Sequence, residues 1–306
     1  MARRLRFVPR GSLVEVTCRT IQGRLLLRPS PILTELTLGV LARAARLYPV
    51  EIHGYAFLSN HFHLMLTVES AQRLAAFMNY LNSNLAREAG RLIRWQEKFW
   101  GRRYQAILVT AEEGAQVDRL RYLLAHGTKE GLVASPLEWP GAHCASALVS
   151  GEPARGRWHD RTLESKAKRR SAPLDPHAFV EEETLRLAPI PCWSQCDPKE
   201  YRERIRSLVR AIERSARTNA RASGREPLGR SALLRQHPHL EPKRSRKGPA
   251  PLVHAVSAAA RRAFRHAYAV FLGAYRAAAR SLRAGILDAA AFPAGSFPPA
   301  LPFRTG

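Results

Sequence analysis

The chain has 306 residues, with 49 Lys and Arg against 25 Asp and Glu and a formal net charge of +24. That length allows one domain of ordinary size plus a smaller unit or an extended tail, and the basic balance points to a polyanionic partner such as nucleic acid while specifying no reaction. No apolar run approaches a membrane span, and of Cys18, Cys144, Cys192 and Cys196 only the last two are close, with no second pair at finger spacing. Reduced thiols without zinc, in a cytoplasmic protein, are expected.

Ser12 to Arg19 alternates as a strand. Pro31 to Tyr48 sets Ile32, Leu36, Val40, Leu41, Ala44 and Leu47 on one helical stripe, with Ser30 as N-cap and Pro31 at the first position. Val50 to Leu58 is strand-like, Ser59-Asn60 is a tight turn, and His61 to Leu66 starts the second strand of a hairpin. Ser70 to Ile93 reads as a helix through Leu74, Phe77, Met78, Leu81, Leu85 and Ala89, and Gly101 to Thr110 as a fourth strand. The order β-α-β-β-α-β is ferredoxin-like, an α+β fold with an antiparallel sheet carrying two helices on one face and the other face free for nucleic acid. A further helix, Glu112 to Gly127, follows with Val117, Leu120, Leu123 and Leu124 as its apolar positions and Gly127 as its stop.

Beyond residue 150 the composition shifts. Gly151 to Pro176 is rich in Arg and Lys and reads as a linker or phosphate-contacting arm. Pro198 to Ser223 is a basic helix, and Arg235 to Pro251 is a connector containing Lys243-Arg244-Ser245-Arg246-Lys247. Leu252 to Gly285 is a helix whose Phe264, Tyr268, Phe271 and Tyr275 are spaced as a packing face. The expected division is a first domain over 1–150 and a basic, partly helical extension with disordered linkers over 151–306.

The chemistry-bearing signal is Asn60-His61-Phe62-His63-Leu64-Met65-Leu66. Alternation puts His61 and His63 on one face and Phe62, Leu64 and Leu66 on the other, so two imidazoles can grip one metal ion. Buried polar neighbours need partners, which marks that face as a site or as open to water.

A His-x-His strand in a ferredoxin-like sheet, followed by a tyrosine-bearing helix, resembles the single-tyrosine HUH transposases of the IS200-like superfamily, and within them the REP-associated tyrosine transposases. The resemblance is carried by Leu58-Ser59-Asn60-His61-Phe62-His63-Leu64, by Phe99-Trp100-Gly101-Arg102-Arg103-Tyr104-Gln105, and by Leu120-Arg121-Tyr122-Leu123-Leu124-Ala125-His126 with Glu130-Gly131-Leu132-Val133. It covers about residues 10 to 145. It implies a transposase that nicks and rejoins single-stranded or hairpin DNA, with Tyr122 as nucleophile forming a 5′-phosphotyrosine link. His61 and His63 would hold a divalent ion, Mg²⁺ or Mn²⁺.

The family's third ligand, a polar residue one turn after the tyrosine and commonly Asn before Pro, is replaced here by His126 before Gly127. Residues four apart share a helix face, so His126 can still turn toward the pair. Three imidazoles shift preference toward Mn²⁺, Co²⁺, Ni²⁺ or Zn²⁺ and leave the metal's identity open. Tyr104, Tyr80 and Tyr55 are explained as sheet or packing aromatics. Arg102, Arg103, Arg119 and Lys129 are candidate DNA contacts, each equally readable as a solvated charge. The assembly expected is a monomer or homodimer. The alternative is a catalytically inactive or domesticated nucleic-acid-binding protein on the same fold; an RNA-recognition sheet would show aromatic residues on its central strands, and that pattern is missing.

Overall fold

The structure, a computed structural model, describes residues 4–170, 175–242, 250–286, 288 and 291–299. Its first half follows the expected order: β1 (Ser12–Arg19), α1 (Pro31–Leu47), β2 (Glu51–Leu58), β3 (His61–Val68), α2 (Ala71–Leu92) and β4 (Gln105–Val109). Both long helices begin at a serine whose hydroxyl accepts an otherwise orphaned amide, Leu33 N–H to Ser30 and Arg73 N–H to Ser70. The strands lie side by side as β2-β3-β1-β4, every neighbouring pair antiparallel, which is the ferredoxin-like arrangement. Phe62, Leu64 and Leu66 share one core with Leu74, Phe77, Met78, Leu81 and Leu85 of α2. The predicted α1 stripe holds at Val40, Leu41 and Ala44, whereas Ile32 and Leu47, at the helix ends, are exposed.

The opposite sheet face is not free. The next helix, α3 (Glu113–Leu124), lies over it and buries Leu120, Leu123 and Leu124. Ala56 and Met65 on that face are apolar and fully buried, so leaving it open would expose a hydrophobic sheet to water. Gly54 faces the helix, where a Cβ would meet Leu120 and Leu123 in ordinary van der Waals contact, 3.5 Å from each. The fourth strand is also shorter than expected, because Trp100 bridges to Thr20 while Tyr104 is held under the Arg6 guanidinium, 4.2 Å from its ring centroid. Arg102 and Arg103 consequently lie on the loop before β4.

Residues 151–176, expected as a linker, are largely ordered structure. After α4 (Ala145–Ser150), β5 (Ala154–His159) pairs antiparallel with β6 (Val180–Leu185), with α5 (Arg161–Arg169) between them. Composition misled here because the basic side chains have partners: Arg161 reaches the buried Glu88 at 2.9 Å and Lys168 reaches Glu164 at 2.7 Å. Residues 171–174 of that stretch lie outside the described residues.

β5 crosses α1 at two glycines. A Cβ on Gly156 would stand 2.1 Å from the Gly39 amide nitrogen, and one on Gly39 would stand 2.2 Å from the Arg157 carbonyl oxygen, so backbone rests directly on backbone. Gly156→Ala is therefore expected to destabilise the protein by at least about 1–3 kcal/mol through overpacking, read from its chemical-denaturation midpoint. A midpoint equal to that of the unaltered protein would mean that the two backbones part without cost.

The remaining elements are α6 (Pro198–Ser223), α7 (Arg230–Arg235), β7 (Val253–His254) and α8 (Ala258–Arg283). Tyr201, Ile205, Val209 and Ile212 of α6, with Leu233 of α7, join the same core as the sheet, so packing continues past residue 150. The helix expected from Leu252 starts only at Ala258, capped by Ser257, because Val253 and His254 pair in parallel with Leu108 and Val109 of β4. Its aromatic face packs as expected: Phe264, Tyr268 and Phe271 surround Phe7, with centroids 6.0, 6.3 and 4.5 Å away. The cluster 243–247 lies outside the described residues. Among the described residues, no helix is long and apolar enough to cross a membrane.

Candidate metal and nucleophile site

The site sits between β3 and the C-terminal end of α3. The Ser59-Asn60 turn and the pleat of β3 place His61 and His63 on the α3 side of the sheet, with ring centroids 5.1 Å apart. His126 follows the last turn of α3, its centroid 4.1 Å from that of His63 and 5.7 Å from that of His61. One ring nitrogen from each of the three lies within 4.8 Å of the others. Three-nitrogen coordination at bond lengths of about 2.1 Å wants a tighter triangle, so binding an ion would need the rings to close by about an ångström.

Each imidazole is oriented by an acceptor at Nδ1. For His61 this is Asn60 Oδ1 at 2.6 Å, for His63 it is Glu15 Oε1 at 2.7 Å, and for His126 it is the Tyr122 carbonyl at 2.8 Å. An acceptor at Nδ1 puts the proton there and leaves the Nε2 lone pair as the ligand atom, the arrangement that fixes tautomer and ring direction in metal sites. Burial, reinforced by the neighbouring His63, Lys129 and His61, pushes His126 far below the usual imidazole range, so it is the neutral, metal-ligating form. The donor set fits a divalent ion of borderline softness.

Glu15 is the group that the sequence reading missed. It is 3 % exposed, in the middle of β1, on the face of His63. Burial alone would raise its carboxyl, but hydrogen bonds from His254 and His63 and the nearby charge of Arg119 outweigh it and hold the group ionised, well below the ordinary carboxylate range. The available signal was a charged residue flanked by Val14 and Val16 in the middle of a strand, which demands partners once buried.

Tyr122 is 36 % exposed and adjoins the cluster, its ring centroid 4.7 Å from His126 and 5.8 Å from His63. The Arg119 guanidinium lies 3.9 Å and the Lys129 ammonium 3.3 Å from the same centroid. Burial and the Glu15 charge raise the phenol, with Arg119 opposing them, while burial lowers Lys129 to about 8. Of the four cations expected to meet DNA, Arg119 and Lys129 thus lie against the tyrosine. Arg102 and Arg103 are exposed on the loop next to the Thr20–Trp100 bridge, at the end of the sheet where Arg19 pairs with His61, and Arg103 donates to the Arg4 carbonyl at 2.9 Å.

Residues 30–122 match the family described as "Transposase IS200 like". Among solved structures, a REP-associated tyrosine transposase bound to a REP hairpin is similar at 16 % identity, covering 49 % of this chain and 86 % of its own, with a TM-score of 0.42. A candidate transposase from Deinococcus radiodurans R1 is similar at 16 % identity over 36 % of this chain and 87 % of its own, with a TM-score of 0.27. No curated protein sequence gives a significant match. The matched stretch, residues 30–122, holds the hairpin, the histidine pair and the helix up to the tyrosine, and over it the chain is similar to the IS200-like transposase family.

Proposed function

We propose that the protein nicks and rejoins single-stranded DNA at hairpin-forming repeats, with Tyr122 as nucleophile and a divalent ion held by His61, His63 and His126. The observation that carries this is the convergence of three Nδ1-anchored imidazoles with a half-exposed tyrosine on the helix above them. The Tyr122 phenolic oxygen attacks the scissile phosphorus and the bond to the 3′ oxygen breaks. The products are a 5′-phosphotyrosine and a 3′-hydroxyl that takes up a proton, and the energy of the phosphoester is kept for the reverse step at a new junction. When bound, the ion supplies Lewis-acid stabilisation of the phosphoryl charge.

The chain's own contribution is position and field. The Arg119 charge favours the Tyr122 phenolate against the burial that disfavours it, Lys129 lies against the same ring, and we propose that both meet phosphate oxygens. We propose that the exposed Arg102 and Arg103 also contact the DNA backbone. We further propose that residues 1–150 carry the chemistry and that 151–306 add basic surface for the DNA. The exposed arginines of α6 and α8 provide for that.

The test is incubation with single-stranded oligonucleotides taken from the DNA flanking the gene, with Mn²⁺ or Mg²⁺ and with chelator. Site-specific nicking that requires the ion and leaves protein on the 5′ end is the expected result. Hairpin binding with no nicking under any metal would leave a DNA-binding protein and end the catalytic reading.

A further inference from the structure

We propose that His254, contributed by the C-terminal half of the chain, is a positioning residue for both the metal ligand His63 and the nucleophile Tyr122, acting through Glu15 and Arg119. The proposal rests on the reading of the three histidines as a metal centre. His254 lies far beyond residues 30–122, the stretch that matches the family.

The two oxygens of Glu15 divide the work. Oε1 accepts from His63 Nδ1 at 2.7 Å, while Oε2 accepts from His254 Nε2 at 2.7 Å and from Arg119 Nη1 at 3.1 Å. A carboxylate this buried keeps its place only while its lone pairs are met, because an unpaired buried charge is strongly disfavoured. Without the His254 donor, Oε2 would depend on Arg119 alone, and the carboxylate would be drawn toward the guanidinium and away from His63. The same ring touches the other half of the site, since Arg119 Nη1 is 3.4 Å from His254 Nδ1 and the guanidinium lies 3.9 Å from the Tyr122 centroid. One imidazole therefore braces ligand and nucleophile together.

The backbone around His254 is fastened to suit that task. Its carbonyl accepts from Thr110 N–H at 3.0 Å as β7 runs parallel to β4. Glu112, immediately before α3, accepts from Val256 N–H at 3.0 Å, from Ser257 N–H at 2.9 Å and from the Thr110 hydroxyl at 2.7 Å. The segment 253–257 thus ties the edge of the sheet to the start of the helix that bears Tyr122. A surface edge strand meant only to shield β4 would not need a histidine turned inward to a buried carboxylate.

The test uses the full chain with His254→Leu, which fills similar space without a donor, and His254→Gln, which can still donate to Glu15. Mn²⁺ binding without DNA is measured by electron paramagnetic resonance, and fold is checked by circular dichroism. Loss of a ligand's direct outer partner weakens metal binding on the order of 10–100-fold, so the leucine variant, one step further removed, should lose about fivefold to tenfold while glutamine stays within about twofold of the unaltered protein. A leucine variant that binds Mn²⁺ as well as the unaltered protein, or that fails to fold, would overturn the proposal, the latter by showing that the contact serves stability. A glutamine variant as weak as leucine would overturn it as well, because the donor is what is assigned. Failure of the unaltered protein to bind Mn²⁺ would instead bring down the metal-centre reading beneath it.

Discussion

Tyr122→Phe is expected to abolish covalent capture of cleaved DNA, a loss on the order of a thousandfold or more, while leaving fold, metal binding and DNA binding in place. The phenylalanine ring keeps the contacts the tyrosine ring makes, with Arg119 and Lys129 against it and His126 4.7 Å away. What disappears is the phenolic oxygen proposed to attack phosphorus.

The other tyrosines near the sheet are poor substitutes. Tyr55 is buried and its phenol is pushed far up by burial, and Tyr104 is buried and likewise raised. Tyr80 packs against Tyr48 and Trp158 on the helix-bearing side of the sheet. Mass spectrometry of the trapped peptide–nucleotide adduct checks the assignment. A link on Tyr104 or Tyr80, or undiminished capture by the phenylalanine variant, would overturn it.

The parts of the fold legible in the sequence were those set by short-range rules. Ser30 and Ser70 cap the helices they were expected to cap, and the Ser59-Asn60 turn fixes the hairpin register that turns His61 and His63 to one side. That His126 can turn toward the histidine pair was legible through its spacing from Tyr122. The structure shows in addition that the Tyr122 carbonyl itself holds the His126 ring.

What the sequence hid depends on contacts between distant residues. Glu15 meets His254, and Gly39 meets Gly156, only because the fold brings them together, and no local periodicity encodes either pairing. The basic stretch after residue 150 misled for a related reason. Arg161 looks solvated until Glu88 of α2 is placed beside it. The free sheet face was an error of the same kind: the apolar positions of residues 112–127 were read, but their docking onto Gly54 and its neighbours was not.

The second large effect is expected at the histidine pair: His61→Ala and His63→Ala should each abolish cleavage and weaken Mn²⁺ binding on the order of a hundredfold or more, since losing a ligand costs at least what losing its outer partner does. The two should differ in stability, and the difference separates ligand loss from collapse. His61 is half-buried at the mouth of the hairpin, so its removal should change the unfolding midpoint little. His63 is buried and donates to the Glu15 carboxylate, so His63→Ala leaves Oε1 without that donor and should cost about 1–3 kcal/mol. Phe62, Leu64 and Leu66 face the opposite layer and keep the strand in the core, so both variants should still show the circular dichroism of the unaltered protein. Calorimetric Mn²⁺ titrations beside denaturation curves give both quantities. Retained metal affinity in a folded His63→Ala protein would remove the cluster as the metal site, and equal stability losses in the two variants would contradict the role given to Glu15.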